Sequence, residues 1–136
     1  MKKLKILNNT KMKLSDRIAL GIVTGYSVFH VLILIGALPQ NIVWGGKIIE
    51  PKTILYLEFA ALFIMLFLGF LILVKTKIVQ WNWQAKTINR WLFAFSIYFI
   101  LNTFTNLLAE TTFEKAQAIL TLILAISLFN LSKRKL

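Results

Sequence analysis

The hydrophobic positions of this chain fall into four long blocks separated by short polar or charged intervals. Residues 18–38 carry no charge and are almost wholly apolar, and residues 54–74 are interrupted by a single acid, Glu58. Two further blocks cover residues 91–109 and 112–131, with Trp91–Ala109 and Ala116–Leu131 free of charge. Each block reaches the roughly 20 residues that a helix needs to cross about 30 Å of hydrocarbon. Lipid offers no partners to backbone N–H and C=O groups, so such spans must be helices. The pattern predicts an all-α membrane protein. It is one four-span domain over residues 1–136, an antiparallel four-transmembrane-helix bundle with a short outer β-hairpin or loop.

Composition agrees with this pattern. Hydrophobic residues make up 58% of the 136 positions and charged residues only 15%, against about a quarter charged in ordinary soluble domains. The first block is too long for the apolar segment of a cleavable signal peptide and has three more spans after it, so it is read as a retained helix. Ser15 is its expected N-cap, with Asp16 in the first turn.

Charge sets the expected orientation. Lys and Arg number sixteen and Asp and Glu five, a net charge of +11. Thirteen of the basic residues lie in the N-terminal arm, the middle loop and the C-terminal tail, whereas Lys47, Lys52 and Lys115 lie toward the opposite face. The positive-inside rule then places both termini in the cytoplasm. Basic residues at the inner face meet anionic membrane lipids, so the excess charge calls for no nucleic-acid partner.

The connections carry their own signals. Pro39 and Pro51 bracket the outer loop, in which Ile42-Val43-Trp44 and Lys47-Ile48-Ile49 flank Gly45-Gly46. Two β-prone runs around two glycines predict a hairpin with a tight turn, or else an irregular interfacial loop. Trp44 would anchor it at headgroup level. The middle loop interleaves Trp81, Trp83 and Trp91 with Lys77, Lys86 and Arg90. This reads as an interfacial aromatic belt, with a short amphipathic helix on the inner leaflet as one form of it. Thr111 and Glu114 have the spacing of a capping box, making spans three and four a tight helical hairpin.

Depth along the spans singles out a candidate site. With alternating directions, His30, Glu58, Asn102, Asn106 and Gln117 all fall in the outer half of the membrane. Helical spacing puts Tyr26 with His30 on one face, Tyr98 with Asn102 and Asn106 on another, and Gln117 with Thr121 on a third. Polar side chains are costly in lipid and turn toward the bundle. These residues, with Trp44 of the loop, are therefore expected to line a ligand-binding pocket open to the outside. The bland readings stand beside this one. Glu58 reaches water, His30 is a neutral hydrogen-bonded packing residue, and Asn102 and Asn106 join helices.

Gly21-x-x-x-Gly25 in the first span is a helix-packing motif, read here as packing within the bundle, with joining of two chains as the alternative. Gly69 and Ala61 suggest close packing of the second span.

Chemistry-bearing groups are few. The chain has no Cys and one His, so it offers no disulfide, no thiolate metal site and no Cys nucleophile. No catalytic residues are assigned, and no metal or cofactor is expected. His30 and Met65 lie at similar depths, but one His without other ligand signals does not make a haem site.

The run Pro39-Gln40-Asn41-Ile42-Val43-Trp44-Gly45-Gly46, followed by Glu58 early in the second span, resembles a group of small bacterial four-span proteins that share a P-x-x-I-V-W-G-G loop. The resemblance implies the four-span architecture. A looser likeness, through Glu58 and Asn102, is to the four-span superfamily of sterol isomerases and the sigma-2 receptor.

Three readings of function follow. The first is an inner-membrane protein that binds or transports a small or lipidic ligand in the outer-leaflet pocket. The second is an accessory or protective protein acting through helix–helix contacts, as a homo-oligomer or with another membrane protein. The third is a lipid-modifying enzyme in which Glu58 and His30 act as acid and base.

Overall fold

A computed structural model describes residues 12–44 and 50–135. Among these residues are four α-helices: α1 (Leu14–Leu34), α2 (Pro51–Lys75), α3 (Ala85–Leu108) and α4 (Thr112–Lys133). Each is long and apolar enough to cross a membrane, which is the architecture of a multi-pass membrane protein. Successive helices run antiparallel. Side-by-side contact joins α1 to α2, α2 to α3, α3 to α4 and α4 back to α1, closing a four-membered ring.

The helix ends differ from the charge-free blocks, and each difference has a local cause. Block one was expected over residues 18–38 with Ser15 as its cap. Instead α1 begins at Leu14 with Lys13 in the N-cap position. The Asp16 carboxylate accepts the backbone N–H of Lys13 at 3.0 Å, so the cap comes from inside the first turn and the helix starts earlier than expected. At the other end Gly36 adopts φ +77°, and the N–H groups of Ala37 and Leu38 both donate to the Leu32 carbonyl. This left-handed glycine closure ends the helix at Leu34. Pro51 opens α2, where its missing N–H costs nothing. Helix α3 begins six residues before Trp91, so Lys86 and Arg90 lie on its first turns rather than in a loop. Thr111 caps α4 as expected, its hydroxyl accepting the Glu114 N–H at 3.2 Å and donating to the Glu114 carboxylate at 2.7 Å.

The outer connection is not a hairpin in its described part. Gln40–Ile42 form a 3₁₀ turn, and Trp44 has φ +57°. A strand over Ile42–Trp44 would need extended dihedrals throughout, so the first arm of the expected hairpin is replaced by a turn. The Gly45-Gly46 turn and the Lys47–Ile49 arm lie outside the described residues. The middle connection forms no separate amphipathic helix, and residues 76–84 are turn and irregular chain. Trp81 and Trp91 set their rings edge-on against Phe70 and Phe67, each at 5.3 Å between centroids. The belt is thereby fixed to α2, with its outer faces exposed.

The bundle is built differently at its two ends. The half nearer the termini holds the apolar core: Ala19 and Val23 of α1, Leu68, Leu71 and Ile72 of α2, Leu92 of α3, and Leu124 and Leu128 of α4 are all buried. Gly69 of α2 faces Val23 of α1, where a Cβ would make an ordinary contact with Val23 Cγ1 at 3.5 Å. Gly21 and Gly25 do not pack within the bundle. Both are exposed, and a Cβ on either would meet nothing within 4 Å. The packing they were expected to provide is supplied by Ala19 and Val23 on the opposite stripe of α1.

A polar clamp closes this end. Arg134 Nη1 donates to Asp16 Oδ2 at 3.0 Å, and its Nη2 pairs with the other oxygen. Lys75 Nζ donates to Asn89 Oδ1 and to the Arg134 carbonyl oxygen. All four helix ends are thus tied through two fully or nearly buried charged side chains, Asp16 and Lys75. Between α3 and α4 the ties are neutral: the Thr103 and Thr121 hydroxyls meet at 2.9 Å, and Ser96 Oγ donates to the Ala125 carbonyl at 2.9 Å.

Candidate functional site

The other half of the bundle encloses a cavity of about 360 Å³. Its position follows from sequence. Where α1, α2 and α4 carry Ala, Val and Leu near the termini, the cavity half substitutes polar groups at the corresponding inward positions. Between these side chains and the apolar Phe29, Ala61, Ile64, Met65 and Phe99, space remains.

Each helix and the outer connection contribute. From α1 come Tyr26, Phe29 and His30. Helix α2 gives Glu58, Ala61, Ile64 and Met65. Helix α3 gives Tyr98, Phe99, Asn102, Thr105 and Asn106. Glu114, Gln117 and Thr121 come from α4, and Ile42, Val43 and Trp44 from the connection. All eight residues singled out from sequence as pocket residues, Tyr26, His30, Trp44, Glu58, Tyr98, Asn102, Asn106 and Gln117, border this one space. Sequence reading did not assign Glu114 and Thr105 to the lining. Both were findable, since Glu114 lies one turn before Gln117 and Thr105 lies between two selected asparagines.

Glu58 is the centre of the polar arrangement. It lies about 10 Å along α2 from Pro51, at 1.5 Å per residue, and is 1% exposed. It does not reach water. Its Oε2 is 2.6 Å from His30 Nδ1, and its Oε1 accepts the Trp44 indole N–H at 2.9 Å. Both carboxylate oxygens are therefore engaged by protein. This bond ties the Trp44 indole N–H to the cavity wall, while the residue stays 39% exposed. The His30 ring also stands edge-on to Phe29 at 5.7 Å, which fixes its plane.

The remaining polar groups are of a different kind. The Tyr26 hydroxyl is buried and has no hydrogen-bond partner among the described residues. The side-chain amides of Asn102, Asn106 and Gln117 likewise bond to no other described residue. The alternative reading of Asn102 and Asn106 has them joining helices, but Thr103, Thr121 and Ser96 do that work. A carboxamide offers two donors and an acceptor, so the cavity wall presents a set of neutral donors and acceptors directed away from the helix–helix seams. The His30–Glu58 pair adds an acid–base couple. His30 Nδ1 and Glu58 Oε2 share one hydrogen bond, whose donor depends on the His30 tautomer. No group of three or more metal-ligating side chains occurs among the described residues.

No protein-family model, curated protein or solved structure matches this chain.

Proposed function

We propose that this is a multi-pass protein of the bacterial inner membrane, with both termini in the cytoplasm, that binds or transports a small or lipidic ligand in the outer-leaflet cavity. The observation that carries the reading is the convergence of polar side chains from all four helices and the outer connection on a cavity of about 360 Å³. A buried hydroxyl without a partner is unfavourable by about 1–3 kcal/mol. Among the described residues the Tyr26 hydroxyl alone carries that penalty, and a ligand that meets it removes it. The orientation rests on the distribution of Lys and Arg.

The test is native mass spectrometry of the protein released from its own membrane in mild detergent. A stoichiometric adduct is expected on the wild-type chain and should be lost in Ala61→Trp, which fills the cavity. Should Ala61→Trp fail to insert, Asn102→Leu, of similar size to the native residue, removes a polar lining group and should weaken the adduct. An adduct of equal occupancy in wild type and variants would place the ligand elsewhere.

One observation favours a second reading. A His ring held at 2.6 Å by a buried carboxylate is the arrangement that orients a general base, so a lipid-modifying enzyme acting through His30 and Glu58 has geometric support. Turnover of a bound lipid that stops in His30→Gln, with binding retained, separates it from simple binding.

A further inference from the structure

The lining of the cavity also bears on the class of ligand, given the reading of it as a ligand site. We propose that it takes a neutral headgroup bearing hydroxyl or carbonyl oxygens, as an alcohol or ester does, and not a phosphate or carboxylate.

Charge is the first argument. No Lys or Arg is among the described lining residues, while two carboxylates, Glu58 and Glu114, are. An anion placed there would be desolvated beside the Glu58 carboxylate, with no Lys or Arg among the described lining residues to offset it, which is unfavourable in a low-dielectric site.

The second argument is hydrogen bonding. The Tyr26 hydroxyl lacks a partner, and a hydroxyl or carbonyl oxygen of a ligand accepts from it without carrying charge. Asn102, Asn106 and Gln117 supply both donors and acceptors, which suits a group that is itself both, such as an alcohol. Size is the third argument. Ligand pockets run to roughly 300–1,000 Å³, so this one is small. It accommodates a headgroup or a compact molecule, and not a whole two-chain lipid.

The experiment uses the intact chain in mixed micelles holding equal amounts of 1-monooleoylglycerol and 1-oleoyl lysophosphatidate, read by native mass spectrometry. The two probes share a tail and differ in head. The neutral lipid should dominate the adducts. Tyr26→Phe should weaken its binding about two- to tenfold, the worth of one neutral hydrogen bond. The same variant should leave the unfolding midpoint without probe unchanged or raised, because the hydroxyl it removes has no partner to lose. Adding 1-monoacetylglycerol identifies the source. Displacement of the oleoyl lipid supports a free neutral molecule, and retention supports a neutral lipid.

Equal or preferred binding of lysophosphatidate, lost in Ala61→Trp or Asn102→Leu, overturns the neutral-head assignment and leaves the ligand-site reading standing. Unchanged affinity in Tyr26→Phe overturns it as well. Absence of both adducts, or adducts indifferent to Ala61→Trp and Asn102→Leu, overturns the assignment and the ligand-site reading together.

Discussion

His30 Nδ1 lies 2.6 Å from Glu58 Oε2, joining α1 to α2 across twenty-eight residues of sequence. The same carboxylate takes the Trp44 indole N–H on its other oxygen. One acid therefore fixes two helices and the connection between them, and holds the cavity wall in place.

This arrangement predicts opposite outcomes for two substitutions of Glu58. Glu58→Gln keeps an oxygen for Trp44 and offers an amide N–H to the other His30 tautomer, so it should cost about 1 kcal/mol or less. Glu58→Leu leaves the Trp44 N–H and the His30 ring without their partner and should cost about 3 kcal/mol. Reversible unfolding by detergent titration measures both. Equal costs would mean that the bonds to Glu58 contribute little.

At the opposite end, Asp16 is 2% exposed and faces the Arg134 guanidinium. Removing one member of a buried pair strands the other. Arg134→Ala should therefore destabilise the bundle by about 3 kcal/mol, near the low end for buried pairs because Arg134 is itself partly exposed. The double variant Asp16→Asn/Arg134→Ala should recover part of that loss in the same titration.

Gly21 and Gly25 give a prediction of opposite sign. Both lie inside α1 with open space where a Cβ would go. Ala at either site should gain about 0.5–1 kcal/mol from helix propensity in the isolated chain. A loss of stability together with a change in oligomeric mass would instead identify this face as an interface between chains.

Topology is tested by cysteines, since the native chain has none. Cysteine in place of Lys115, exposed at the start of α4, should react with an impermeant reagent on whole cells. Cysteine in place of Lys77, exposed after α2, should react only after lysis. Labelling of position 77 alone would reverse the assigned orientation.

The four helices were legible because lipid permits few solutions. A charge-free block of the right length in a chain this apolar has to be a helix. The cavity lining was legible for a related reason, since polar residues at one depth and at four-residue spacing have only the interior to face. Helix ends were not, because a charge-free block marks what lipid covers and not where the helix stops. Asp16 and Gly36 set the ends of α1, and α3 carries Lys86 and Arg90 beyond its apolar block. The Trp44–Glu58 bond was hidden by a rule about tryptophan at interfaces that ignored a buried acceptor fourteen residues away. The Asp16–Arg134 pair spans 118 residues, but it left one clue. Asp16 is the single acid at the basic end of the bundle, and a carboxylate there invites a cationic partner.

An experimental density map of the protein in a lipid nanodisc bears on the cavity itself. Non-protein density is expected within hydrogen-bond distance of the Tyr26 hydroxyl and between Asn102, Asn106 and Gln117, with the His30–Glu58–Trp44 bonds intact. A bundle in which α2 and α3 close over that space, with Tyr26 bonded to a neighbouring side chain, would contradict a ligand site there.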